Sequence, residues 1–185
     1  MKIKKKALRE EYIRRRDGIS SSLIKIHCDL IRSRLSRVPE FSEAKTVAGY
    51  HSIGSEVDTR DILRDLLVRN IRLCLPLTES SGRMYFMEVK DLDSDLQLGE
   101  YDILEPRPTC KQCIKQDVIL VPAVCVTNRC QRIGYGMGCY DRYLSKCNAF
   151  TIGLVFESQI VKSIPLEPSD VPLDMIVSER HTYRR

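Results

Sequence analysis

The chain is 185 residues long, 43% apolar, and carries a formal net charge of +5, enough for one well-buried core and too little for two ordinary domains, so residues 1–185 are read as a single domain. No stretch approaches the roughly 18 unbroken apolar residues of a membrane span, and the basic start MKIKKKALREEYIRRR leads into no apolar leader segment, which predicts a soluble, cytoplasmic protein without a membrane partner. Aromatic residues make up 6% and tryptophan is absent, so the aromatic-interleaved basic stripe of a single-strand binder is missing and nucleic acid is not an expected partner.

Ile3, Ala7, Leu8 and Tyr12 recur at helical spacing, and Ser20 to Ser22 supply an N-cap for a second helix with Leu23, His27, Leu30 and Ile31 on one side. Two helices therefore open the chain. TVAGYHSI reads as a strand, Thr59 caps the helix RDILRDLLVRN, and IRLCLPLT is a buried strand. RMYFMEV is a further short strand, and the acidic stretch KDLDSDLQLGEYDILEPRPT reads as loop. DVILVPAVCV is the most apolar strand; after it come a glycine-rich loop, a helix from about Tyr140 to Lys146, the strand FTIGLVF and a last short strand in DMIVS. Strands alternating with helices, with continuous apolar runs, predict an α/β fold: an open, mainly parallel sheet with helices on both faces, three layers in the Rossmann manner.

Eight cysteines are an even number, yet several lie in apolar runs where a thiol packs as a small hydrophobe. No disulfide framework is expected in a cytoplasmic chain. CKQC at 110–113 has no second ligand pair, so it does not predict a structural zinc.

The loop RIGYGMGCYDRYL, residues 132–144, carries the chemistry. Glycines at 134, 136 and 138 allow close backbone approach and positive φ, and a strand, glycine loop and helix in succession bring backbone N–H groups to bear on phosphate. It lacks the lysine of a P-loop and the spacing of the dinucleotide fingerprint. Arg132 can fork two phosphate oxygens, whereas Asp141 would repel phosphate unless a divalent cation stood between them. The combination describes a magnesium nucleotide.

In order, KKALREE, EVDT at 56–59, LP at 75–76 with MYF at 84–86, GEYDILEP at 99–106, DVILVPAV at 117–124, the glycine loop, and IGLVFESQ through PLDMIVSE span nearly the whole chain. On these pieces the sequence resembles the 5-formyltetrahydrofolate cyclo-ligase family, also called 5,10-methenyltetrahydrofolate synthetases. The resemblance implies conversion of 5-formyltetrahydrofolate to 5,10-methenyltetrahydrofolate with ATP and Mg²⁺, through a phosphorylated formyl group, by a monomer acting on a small-molecule substrate. It puts Lys5, Arg9 and the run Arg132, Ile133, Gly134, Tyr135, Gly136, Met137, Gly138, Cys139 and Tyr140 at the nucleotide, with Arg132 as the catalytic cation. It implies Asp141 and Asp174 as metal ligands, and His51, Glu56, Met84, Tyr135, Cys139 and Tyr140 along the folate. Three positions depart from the family pattern. Cys139 replaces one of two aromatics before the aspartate, Cys130 stands where a turn glycine is usual, and His51 replaces an apolar residue. Cys139 and His51 motivate one alternative, a non-catalytic nucleotide- or folate-binding member of the same fold.

Overall fold

A computed structural model describes residues 2–99 and 103–185. The opening helices are α1 (Lys2–Asp17) and α2 (Ser21–Leu35), followed by the single turn α3 (Pro39–Ser42). A seven-stranded sheet is built from β1 (Thr46–Ala48), β2 (Arg72–Thr78), β3 (Met84–Val89), β6 (Val118–Val121), β9 (Phe150–Leu154), β11 (Met175–Val177) and β12 (Thr182–Arg184), in the order β12-β11-β9-β6-β1-β2-β3. The five inner strands run parallel, and only the edges β3 and β12 are antiparallel. The expected mainly parallel α/β sheet is what the chain forms.

Strand residues alternate between two cores, which is why the runs read as continuously apolar. Val118 and Leu120 join Leu73, Leu75, Ile152 and Leu154 beneath α2 and the helix α4 (Arg60–Val68). Ile119 and Val121 join Ala48, Cys74 and Ile176 on the opposite face, under the short helix α5 (Cys139–Leu144). On that face lies a second sheet of β7 (Cys125–Thr127), β8 (Arg132–Ile133) and β10 (Ile160–Val161).

Four local expectations change. DVILVPAVCV is two strands in different sheets, because Pro122 cannot donate to a ladder and ends β6. The acidic stretch read as loop contains a hairpin, β4 (Leu96–Leu98) with β5 (Leu104–Pro106); residues 100–102 of its motif lie outside those described. On α2 the buried side is Ile24, Cys28, Ile31 and Leu35, while Leu23 and Leu30 face solvent. Finally, Cys74 and Cys113 are joined by a disulfide and the other six cysteines are free. The bond forms because an isolated bridge between Met87 and Gln112, and the Cys113 N–H to Phe86 O hydrogen bond (2.7 Å), dock the CKQC segment on the β2–β3 pair. Cys130 has φ +60° and its thiol is fully buried, so the strain expected of a side chain there is offset by packing.

Candidate active site

A cavity of about 1120 Å³ opens at the C-terminal ends of β1, β2 and β6. Loops leaving parallel strands converge at that edge, which is where open α/β sheets bind ligands. Its volume lies just above the usual range for small-molecule sites, about 300–1,000 Å³.

One half of its wall is basic. The inward stripe of α1 is charged: Lys5, Tyr12 and Arg16 are its buried residues, and Lys5 and Arg9 line the cavity. Ile3, one of the apolar residues that suggested the helix, is 85% exposed. Arg9 Nε donates to Gly134 O (2.7 Å), tying α1 to the glycine loop. Lys5 Nζ donates to both oxygens of Asp170 (2.8 and 2.6 Å) and stands 3.4 Å from Glu167. Arg132 extends from β8 with Nη2 on Asp141 Oδ1 (3.0 Å), an oxygen that also accepts the Val171 N–H (3.1 Å). Asp141 and Asp170 therefore approach the same patch of wall. The Arg132 side chain is 4% exposed, its Nε has no partner, and burial draws its pKa down against the pull of Asp141. An unsatisfied buried guanidinium N–H is costly.

Two glycines of the loop take conformations that L-residues avoid, Gly136 at φ +109° and Gly138 at φ +68°. A Cβ on Gly136 would stand 3.1 Å from Arg9 Cζ. Gly136→Ala therefore both strains the backbone by ~1–2 kcal/mol and crowds Arg9; for the nucleotide that the loop pattern predicts, we expect KM to rise about tenfold, read from initial rates.

The other half of the wall is mostly apolar and includes the carboxylate of Glu56. Met84, Tyr140, Cys139 and His51 line it; burial lowers the His51 pKa, so the imidazole is neutral at physiological pH. Glu56 is buried, accepts the Ile53 N–H at Oε2 (2.9 Å) and takes the Tyr135 hydroxyl at Oε1 (2.7 Å). Tyr140 stacks its ring 5.9 Å from Arg132 Cζ, and its buried hydroxyl has no partner. Arg142 closes the rim, donating to Met137 O (2.9 Å) and Gly82 O (2.7 Å).

The structure thus brings Lys5, Arg9, the run 132–141, His51, Glu56 and Met84 to one cavity. It does not bring Asp174 there. Asp174 directly precedes β11, at the opposite edge of the sheet; its Oδ2 accepts Thr151 N–H (3.0 Å) and Oγ1 (2.8 Å), and its Oδ1 takes Arg185 (3.1 Å). Both oxygens serve the fold, which corrects the expected metal role. Asp170, four residues earlier, lines the cavity in its place. Arg16, Arg142, Glu167 and Asp170 escaped the sequence reading. Lys5, Arg9, Tyr12 and Arg16 recur at i, i+4, i+7 and i+11, so a charged helical stripe was the available signal for Arg16.

The profile described as the 5-formyltetrahydrofolate cyclo-ligase family matches residues 1–179. The chain belongs to that family. Among curated cyclo-ligases it is 29% identical to 5-formyltetrahydrofolate cyclo-ligase of Escherichia coli over 154 residues, covering 79% of this chain and 84% of the relative. It is 27% identical to the enzyme of that name from Mycolicibacterium smegmatis over 95% of this chain and 94% of the relative. The NMR structure of Aquifex aeolicus 5,10-methenyltetrahydrofolate synthetase superposes with a TM-score of 0.87 at 28% identity, covering 97% of this chain and 92% of that one. A cyclo-ligase is an enzyme, and the cavity just described holds Lys5, Arg9, Arg132, Glu56, Asp141 and Asp170 together.

Proposed function

We propose that this cyclo-ligase converts 5-formyltetrahydrofolate to 5,10-methenyltetrahydrofolate with ATP, releasing ADP and phosphate. The formyl oxygen is amide-like and leaves poorly. Phosphorylation by ATP makes it a leaving group: the oxygen bonds to the γ-phosphorus as ADP departs, N10 then adds to the activated carbon and loses its proton, and the C–O bond breaks to release phosphate. The observation that carries the reading is one cavity with buried cations and a glycine loop along one side and an apolar wall bearing Glu56 along the other.

In this reading Lys5, Arg9 and the loop amides at Gly134, Gly136 and Gly138 position the triphosphate, and Arg132, which lines the same cavity, is the catalytic residue, its guanidinium meeting charge that grows on the transferring phosphoryl group. Among the described residues no three side chains of the ligating types form a metal cluster. Two carboxylates beside a phosphate site are nevertheless the donor set that suits Mg²⁺, which keeps waters and takes phosphate oxygens. Asp141 and Asp170 would hold it, and when bound it neutralises phosphate charge. Glu56 accepts from the donor-bearing edge of the pterin, with Met84, Tyr140, Cys139 and His51 as walls.

The test is direct. Purified protein mixed with 5-formyltetrahydrofolate, ATP and Mg²⁺ should develop the near-ultraviolet absorbance of the methenyl product, and leaving out either ATP or Mg²⁺ should abolish it. Binding of ATP without any product would overturn this reading in favour of a non-catalytic nucleotide- and folate-binding protein.

A further inference from the structure

The reading above leaves unused a hydrogen-bond chain that starts outside the cavity. Arg16, near the end of α1, is 4% exposed, and among the described residues it makes no ion pair within 4.0 Å. A buried cation with no carboxylate beside it is costly unless its donors are engaged. Its Nε donates to Ser55 Oγ (3.0 Å), which passes its own proton to Asp17, and its Nη2 donates to the Tyr135 phenol oxygen (2.9 Å). The phenol is followed in turn by Glu56 Oε1 at 2.7 Å. Three elements that are distant in sequence, the end of α1, the loop ahead of α4 and the glycine loop, meet in this one chain.

The order of donors in it is fixed by chemistry. A guanidinium only donates, so the Tyr135 oxygen must accept from Arg16, and its single proton is left for Glu56. A backbone N–H likewise only donates, and Ile53 puts one on Oε2. Each Glu56 oxygen thus faces a donor, and a proton on Glu56 could be accepted here only if the Tyr135 hydroxyl turned its own proton away. The arrangement selects the carboxylate and leaves its remaining lone pairs for the cavity.

We propose that Arg16 is a positioning residue, which by orienting the Tyr135 hydroxyl keeps Glu56 a hydrogen-bond acceptor for the donor-bearing edge of the substrate. The substrate side of this statement rests on the function proposed above; the chain itself does not. Burial works the other way and raises the Glu56 pKa, with the Ile53, Tyr135 and Arg16 contacts opposing it. The titratable and charged groups that face Glu56 are Tyr50 after β1, Tyr135 on the glycine loop, Tyr140 on α5 and Arg16 on α1. Burial pushes all three phenols up, Tyr135 to about 12, so they stay protonated. Arg16 is the facing group that carries charge. Because the Glu56 pKa is raised, its carboxylate fraction falls as pH drops towards that pKa, and any loss of the Arg16 contact widens the affected range upward.

The experiment follows the Glu56 carboxyl by ¹³C NMR in the full chain labelled at glutamate, for wild type, Arg16→Met, Arg16→Lys and Tyr135→Phe, with Glu56→Gln assigning the signal. Removing an opposite charge that acts across one hydrogen bond is expected to move the Glu56 titration up by about one pH unit in Arg16→Met, with a similar move in Tyr135→Phe and a partial return in Arg16→Lys. Initial rates should follow: the acid limb of kcat/KM for the folate shifts up by the same amount, about tenfold at its steepest, through KM more than kcat. Should Arg16→Met fail to fold, Tyr135→Phe, which deletes one hydroxyl, carries the same test. An unmoved Glu56 titration in Tyr135→Phe and in any folded Arg16 variant, or a KM rise that is the same at every pH, overturns the proposal. If the titrations move as expected while the wild type forms no methenyl product, the chain stands and the proposed reaction falls.

Discussion

Arg132→Lys is expected to lower kcat by about a thousandfold at saturating ATP and folate, which is ~4 kcal/mol of transition-state stabilisation. Lysine keeps the charge and loses the fork. In the structure the guanidinium spends Nη2 on Asp141 and keeps Nε unpaired under almost complete burial; an ammonium can satisfy Asp141 or face the cavity, but its compact charge does not span both. The retained ion pair should hold the fold, so a thermal melt within a few degrees of wild type, together with the absorbance assay, separates lost chemistry from lost structure. A loss below tenfold would remove Arg132 from the catalytic role.

The second large effect contrasts two aspartates four residues apart. Asp170→Asn is expected to cut turnover on the order of a hundredfold, ~2.7 kcal/mol, with a raised Mg²⁺ requirement, because one of the two aspartates lining the cavity, the pair proposed to hold the metal, is gone. Asp174→Asn should leave turnover within about twofold. Its cost appears as stability instead: the Thr151 and Arg185 contacts weaken by ~1–2 kcal/mol, and for a chain of this size each kcal/mol moves Tm by roughly 2–4 °C. Titrating Mg²⁺ against rate for both variants, and melting both, reads the two outcomes. The reverse pattern would return the metal role to Asp174.

Those two residues also show where the sequence stopped being legible. PSDVPLDMIVS holds two aspartates around Pro172, and nothing in their immediate neighbours says which one faces a ligand. The strand does: Met175 begins β11, so Asp174 sits at the edge where parallel strands start, opposite to the edge where ligands bind. The sheet was readable because its inner strands are buried on both faces and spell unbroken apolar runs. The loop was readable as a strand-to-helix connection because its glycines permit the positive φ found at Gly136 and Gly138. α1 was readable as a helix, and of the apolar residues Ile3, Ala7, Leu8 and Tyr12 that suggested it, Tyr12 is buried with Leu8 against it while Ile3 is exposed and the cavity takes Lys5 and Arg9. The Cys74–Cys113 bond joins positions 39 residues apart, for which local pattern holds no signal, whereas the β4–β5 hairpin is local and was masked by the acidic residues around it.

Arg132 is matched to Asp141 and Lys5 to Asp170 across the wall of the cavity. A lone anion drawn to the two cations would strand two carboxylates, and a lone metal drawn to the carboxylates would strand two cations. A metal–triphosphate chelate would satisfy all four at once by exchange of partners. On the function proposed above, each component should strengthen the other's binding by the same factor, so free orthophosphate and free divalent ions should each bind more weakly than the chelate.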